Sequence, residues 1–292
     1  MAEQPKVIRK RIKTVTSTKK ITRTMEMVAT AKLKAAQDRV ASSGPYLEAL
    51  RRLMRNIGAA GVDVSQWPEF EVRPGKKTLL FLVTANRGLC GAFNANLVRL
   101  ARETYEAKKA EGHEVRLFVA GRKGAAALRF RGYPVERTYV DELSDRPDPQ
   151  EAEFFLKELA TPFLTGEVNE VIVVYPHWES LGRQPPTAFR LFPIAPEQSL
   201  GGEPAASPPV FEPSAEKILD RLLPLYGRQL VYAVLAEAIA AEQVARRMAM
   251  KLASDNASDM VNDLTRKYNQ ARQAQITKEI AEILGGAEAL KE

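Results

Sequence analysis

The first helical pattern in this chain covers Lys6 to Ser43, a stretch that contains neither glycine nor proline. Apolar residues recur there at steps of three and four, as on one face of an α-helix. A six-residue gap after Val15 shifts this stripe around the helix, and Gly44-Pro45 predicts an interruption before helix resumes from Tyr46 to Ile57. The predicted stripe consists of Ile8, Ile12, Val15, Ile21, Met25 and Val28.

A second and longer helical pattern covers Arg228 to Leu284, 57 residues without glycine or proline. A helix of that length spans about 85 Å. Its first half predicts a coiled-coil seam rich in alanine, which then turns polar around Asp255 to Asp259 and resumes on a displaced phase before ending at Gly285-Gly286. The predicted seam residues are Leu230, Val234, Ala238, Ala241, Ala245, Met248 and Leu252.

The length of these two helices predicts how the chain is organised. An ordinary domain is too small to bury a helix of about 85 Å, so we expect the terminal helices to pack on each other. Because they lie at opposite ends of the chain, the sequence favours an antiparallel coiled coil with a domain inserted between its helices. The predicted divisions are a helix in 1–60, an inserted domain in 76–195, a proline-rich linker in 196–212 and a helix in 213–292.

The middle of the chain alternates apolar strand patterns with helical patterns, which is typical of a Rossmann-like parallel α/β sheet. Residues 193 to 213 contain six prolines and predict a loop or linker. The predicted strands are Thr78–Thr84, Val115–Ala120, Val171–Tyr175 and Phe189–Ile194, and the predicted helices are Asn94–Ala110, Lys123–Phe130 and Gln150–Leu164.

The net charge of +7 comes from the N-terminal segment, because residues 1–60 hold 14 basic and 4 acidic side chains. Such a segment can bind an anionic partner, nucleic acid included, although no aromatic residues interleave with its basic residues to stack on bases. The single cysteine, Cys90, excludes an intrachain disulfide and is expected to be a buried thiol. No apolar run reaches the roughly 18 to 20 residues of a membrane-spanning helix.

Candidate catalytic chemistry is sparse. The turn from Asn86 to Gly91 follows the first predicted strand, where a phosphate-binding turn would lie, but it lacks the complete G-x-G-x-x-G spacing. His113 and His177 are the only histidines, and their spacing from Cys90 does not predict a metal site. We therefore expect no cofactor and no metal. Two other hypotheses stay open from the residues alone: a nucleic-acid-binding coiled coil and a Rossmann-like enzyme with helical arms.

Motifs at both ends and in the middle of the chain resemble the gamma subunit of F-type ATP synthases. The first helix resembles the family's opening helix in Ile8 to Ile12 and Lys19 to Ala29. Thr84 to Gly91 is similar to its first central turn, and Arg246 to Asn256 is similar to its C-terminal neck. The family signature I-T-x-E-x-x-[DE]-x-x-x-G-A is matched by Ile276, Thr277, Glu279, Glu282, Gly286 and Ala287.

This resemblance implies a non-catalytic rotor shaft that couples proton-driven rotation to binding changes at the beta catalytic sites. It implies three partners: the alpha/beta hexamer, the epsilon subunit and the membrane c-ring. The absence of a two-cysteine insertion implies a bacterial-type protein, placed peripherally at the cytoplasmic face of the plasma membrane without direct insertion. Nucleic acid is not an expected partner under this reading.

The resemblance also implies which side chains contact the beta subunit. Arg272 and Gln273 are expected to hydrogen-bond an acidic loop of beta, with Thr277 and Glu279 one turn further along the helix. A second group corresponds to the family's neck, facing the acidic lever of beta: Lys19, Arg23, Met25 and Arg246.

Overall fold

The computed structural model describes residues 4–194 and 211–289. Residues 196–210 of the predicted proline-rich linker lie outside the described residues. The chain forms two compact units: a smaller unit of Met1–Ala29 with Arg246–Glu292, and a larger unit of Thr30–Ala245. The elements are α1 (Pro5–Ala59), β1 (Lys77–Val83), α2 (Phe93–Ala110), β2 (Glu114–Ala120), α3 (Arg122–Phe130), β3 (Val135–Tyr139), α4 (Pro149–Leu164), β4 (Glu170–Pro176), β5 (Pro186–Phe192) and α5 (Ala215–Ala289), with short 3-10 helices at Val64–Gln66 and Pro68–Phe70.

The larger unit contains a five-stranded sheet in the order β3-β2-β1-β4-β5. The pairs β1-β2, β2-β3 and β1-β4 are parallel, while β5 is antiparallel to β4. The predicted Rossmann-like parallel sheet is therefore confirmed for the three predicted strands β1, β2 and β4, whereas the last predicted strand, β5, adds an antiparallel edge. Strand β3 was missing from the prediction because its outer positions carry Glu136 and Arg137, which break the apolar run.

Helices cover both faces of this sheet. On one face α2 and α3 bury residues such as Leu97 and Leu128 against the strands. On the other face α4 packs together with the C-terminal part of α1 and the first part of α5, with Phe155 and Leu219 fully buried. Both terminal helices thus contribute directly to the core of the larger unit.

The terminal helices run antiparallel in each unit. In the larger unit Ala36 packs with Ile239 and Ala240, while Gln229 Nε2 donates to the Ser43 carbonyl at 3.4 Å. Residue numbers therefore rise along α1 as they fall along α5. In the smaller unit the start of α1, residues 4–6, lines a common cavity with the part of α5 from Ala271 to Glu282.

The helices of the smaller unit meet along a regular heptad seam, which differs from the predicted stripes. Ile21, Val28, Met248 and Leu252 were predicted seam residues, but they are 61%, 51%, 58% and 63% exposed. Several seam positions carry small or polar side chains between the large apolar ones, because a close helix approach leaves little room there. The buried or half-buried seam residues are Ile8, Ile12, Val15, Thr22, Glu26 and Ala29 on α1, and Met250, Ser254, Ala257, Val261, Leu264, Tyr268 and Ala271 on α5.

Two predicted helix boundaries are wrong. Helix α1 continues through Gly44 and Pro45 to Ala59. An interior proline costs about 3 kcal/mol, but the residues that follow it, Leu47, Leu50 and Met54, are all buried, at about 1.5 to 3 kcal/mol for each large apolar side chain. Tertiary packing therefore outweighs the local signal. Helix α5 likewise continues past the glycine pair at 285 and 286.

Candidate functional site

The eight side chains that sequence assigns to partner contacts all belong to the smaller unit. Three lie on α1 and five on α5, so the sequence-distant ends of the chain supply one compact helical pair. By the family region to which they correspond they form two groups, which we call the neck group and the C-terminal group. The neck group is Lys19, Arg23, Met25 and Arg246, and the C-terminal group is Arg272, Gln273, Thr277 and Glu279.

The neck group is available to a partner to different degrees. Lys19 is exposed, whereas Met25 and Arg246 are half-buried. The Arg23 side chain is 61% exposed, and its Nη1 lies 2.8 Å from Glu26 Oε2. The Glu26 side chain is only 13% exposed, because Glu26 lies at a seam position. The outer part of the Arg23 guanidinium thus remains accessible to a carboxylate of another chain while it contacts Glu26.

All four residues of the C-terminal group are exposed. Arg272, Gln273, Thr277 and Glu279 all lie outside the seam, so none of them is needed to hold the two helices together. Within α5, Gln275 Nε2 donates to Glu279 Oε1 at 2.7 Å. Because Gln273 and Thr277 are four residues apart, they project from the same side of the helix. The group presents two hydrogen-bonding side chains next to a guanidinium and a carboxylate.

Sequence analysis missed the apolar part of this surface. Ile276 and Ile280 are 43% and 53% exposed, and Ile283 and Leu284 are 70% and 63% exposed. Adjacent exposed aliphatic side chains on one helix are a mark of a binding surface. The heptad pattern of α5 could have indicated that these residues are exposed. None of the four occupies a seam position, so they cannot face α1.

The surface of α1 in the smaller unit is strongly basic. Its residues from 6 to 23 include eight basic side chains, and every one of them is exposed. A dense positive surface attracts an acidic partner and raises its rate of encounter. The basic residues are Lys6, Arg9, Lys10, Arg11, Lys13, Lys19, Lys20 and Arg23.

The turn between β1 and α2 uses its polar groups internally. Asn94 Oδ1 accepts the Ala85 N–H at 3.0 Å, and Asn86 bonds both the Val140 carbonyl and the Arg122 N–H. Cys90 is buried, as predicted, and its Sγ accepts from Asn94 Nδ2 at 3.1 Å. These bonds fix the path of the chain from strand to helix, which favours a structural role for the turn.

Across residues 4–194 and 211–289, no cluster of three or more His, Cys, Asp or Glu side chains has the arrangement of a metal site. Within the same residues, none of the helices combines the length and apolar character needed to cross a membrane.

Comparison with known proteins gives a consistent result over nearly the full chain. A family model described as ATP synthase matches residues 4–290. The chain is 42% identical to the ATP synthase gamma chain of Gemmatimonas aurantiaca over 289 residues, which is 98% of each chain. It is 41% identical to the ATP synthase gamma chain of Chlorobaculum parvum over 293 residues, 98% of this chain and 99% of that one.

Solved structures agree at the level of the fold. The chain resembles a chain of the Euglena gracilis mitochondrial ATP synthase rotor with a TM-score of 0.68, 19% identity and coverage of 93% and 98%. It also resembles a chain of the Tetrahymena thermophila mitochondrial ATP synthase central stalk and c-ring with a TM-score of 0.60, 23% identity and coverage of 80% and 99%.

Proposed function

This chain belongs to the ATP synthase gamma chain family, and we propose that its neck and C-terminal groups are the contacts through which it acts on the beta subunits. The chain is the central rotor shaft of the synthase. It is a non-catalytic subunit that couples ion-driven rotation of the c-ring to the binding changes at the catalytic sites, and it works in the opposite sense during ATP hydrolysis.

The observation that carries this proposal is the exposure of Arg272, Gln273, Thr277 and Glu279 on a helical pair whose seam they do not enter. Side chains that are not needed for packing are free to bind another chain. A guanidinium offers a fork of donors that matches a carboxylate, and an adjacent amide adds a further hydrogen bond. An acidic loop on beta therefore fits this group.

The strength of such contacts suits a rotor. A hydrogen bond to a charged group contributes about 1.5 to 3 kcal/mol, which is enough to favour one rotor angle over others. Contacts of that size are also weak enough to break at each step. The exposed Ile276 and Ile280 add nonspecific apolar contact that resists tilting of the shaft inside the alpha/beta hexamer.

The rotor function assigns different roles to different parts of the chain. Residues 1–60 and 213–292 form the shaft, whose helices also pack into the core of the foot, and residues 76–195, with their α/β sheet, form the foot that meets the epsilon subunit and the c-ring. The epsilon contact and the position at the cytoplasmic face of a bacterial plasma membrane follow from family membership and are part of the proposal.

The test is a double substitution in the assembled synthase, Arg272→Ala with Gln273→Ala. Losing one charge-assisted and one neutral hydrogen bond should lower coupled ATP synthesis by about tenfold or more. The matched control is Arg266→Ala, which removes an arginine with a 78% exposed side chain from the same helix, outside the C-terminal group. Hydrogen exchange should show the helical pair intact in both variants. Unchanged synthesis and hydrolysis in the double variant, or an equal loss in the control, would reject these contacts.

A further inference from the structure

A cavity of about 610 Å³ lies in the larger unit, and the rotor function gives it no role. Its walls come from the C-terminal part of α1, from β4 and β5, and from the first part of α5. Small-molecule sites in proteins usually measure about 300 to 1,000 Å³. The cavity therefore has the size of a ligand site, and it joins a terminal helix to the sheet.

The apolar walls can hold the body of a small organic molecule. Leu47 of α1 faces the cavity together with Phe189 and Leu191 of β5 and Leu230 of α5. Tyr175 and Phe189 pack edge to face, with ring centroids 5.5 Å apart. An aromatic or aliphatic group would meet these surfaces without displacing a polar partner.

Both carboxylates that line the cavity already have partners. Glu48 Oε1 lies 2.7 Å from Arg55 Nη2. Glu237 Oε2 lies 2.9 Å from His177 Nδ1 and also accepts the Trp178 N–H at 2.8 Å. These interactions balance Arg55 and orient His177.

Two further guanidinium groups line the cavity. Arg51 lies on α1 and Arg190 on β5. Within residues 4–194 and 211–289, neither forms a salt bridge with a carboxylate, although the charge of Arg51 helps Arg55 to lower the pKa of Glu48. The charge of Arg51 also reaches the phenol of Tyr175: it opposes the rise in the pKa of that group, which burial chiefly causes. Two positive charges on different elements, beside apolar walls, form a receptor for an anion with an apolar body.

We propose that this cavity binds a small organic anion, in which a phosphate or carboxylate group lies between Arg51 and Arg190 and an aromatic or aliphatic body contacts the apolar walls. The site goes beyond the rotor function. A ligand there links α1 to β5, so its binding would stiffen the attachment of the terminal helix to the sheet.

The test is calorimetric titration of the full-length chain with phenyl phosphate and, separately, with inorganic phosphate. Phenyl phosphate should bind saturably and more tightly than inorganic phosphate, because only the former contacts the apolar walls. Arg51→Gln and Arg190→Gln should each weaken its binding by about tenfold or more. Both arginines are exposed, so the variants should fold, and circular dichroism with a thermal midpoint would verify this.

The matched control is Arg52→Gln, the neighbouring exposed arginine on α1, which does not line the cavity. The affinity of the Arg52→Gln variant for phenyl phosphate should stay within about twofold of the affinity of the unsubstituted chain. The proposal is overturned if the unsubstituted chain shows no saturable binding, if Arg52→Gln weakens binding as much as Arg51→Gln, or if both cavity variants bind normally. Binding that is lost on assembly of the synthase would assign the cavity to an acidic segment of a partner and overturn the small-anion assignment.

Discussion

Replacing Met250 by alanine is expected to destabilise the helical pair of the smaller unit far more than replacing Leu252. Met250 is 4% exposed at a seam position, whereas Leu252, two residues later, is 63% exposed. Truncating a buried methionine to alanine costs about 2 to 5 kcal/mol. Leu252 buries only roughly a third of its surface, and full burial of leucine stabilises by about 1.5 to 3 kcal/mol. Its truncation should therefore cost only about 0.5 to 1 kcal/mol.

Both substitutions end in alanine and start from good helix formers, so helix propensity changes little and favours neither variant. Native-state hydrogen exchange of amides in residues 246–264 measures the opening free energy of this helix locally. Met250→Ala should reduce protection by at least about 30-fold, and Leu252→Ala by no more than about fivefold. Equal losses, or a larger loss at Leu252, would show that the seam runs through the large aliphatic residues as their spacing alone suggests.

Three further outcomes are expected in the full-length chain. Phe155→Ala should lower the free energy of unfolding in urea by about 3 to 5 kcal/mol, because the ring is fully buried. Phe154→Ala should cost clearly less, because Phe154 is 39% exposed. Equal losses of stability in the two variants would contradict the packing of α4. Burial raises the pKa of Tyr175 above its ordinary value, so stability should fall as pH rises through about 10, where the unfolded phenol ionises and the native one does not. Urea midpoints measured at rising pH should show a shallower fall in Tyr175→Phe, and an unchanged slope would refute this cause. Gly121→Ala should destabilise by more than about 1 kcal/mol in the same assay, because φ is +105° and a Cβ would collide with the Thr84 carbonyl; a stability equal to the parent's would count against that close approach.

The α/β sheet was largely predictable because its strands are buried on both faces. Strand β1 is almost wholly apolar and β4 has six consecutive buried residues, so both stand out as short apolar runs. Strand β3 escaped detection because it is a sheet edge whose charged side chains face solvent. What identifies it is its parallel pairing with β2, which depends on residues distant in sequence.

The helical pair was predictable in outline but not in register. Hydrophobicity ranks large aliphatic residues above small ones, and so it selects Ile21 and Leu252, which are exposed. The close approach of two helices selects instead for small side chains such as Ala29, Ser254 and Ala257, which are buried. A heptad count that accepts Thr, Ser and Ala as seam residues recovers the register.

The C-terminal group was predicted only through resemblance to a family. Residue type and spacing do not distinguish Arg272 and Gln273 from ordinary solvated residues of a helix. The structure adds that they lie off the seam, beside exposed isoleucines at 276 and 280. The apolar neighbours could have been found from sequence once the correct seam register was known.

Rotation of this chain inside the assembled alpha/beta hexamer is the most direct test of its role as a rotor shaft. Leu181, in the connection between β4 and β5, is 52% exposed, whereas the thiol of the single cysteine, Cys90, is buried. A Leu181→Cys variant therefore permits selective attachment of a bead, and the bead can be followed while the immobilised hexamer hydrolyses ATP. The rotor function predicts unidirectional, ATP-dependent rotation of the bead. Sustained ATP hydrolysis by complexes in which the bead stays at a fixed angle would contradict it.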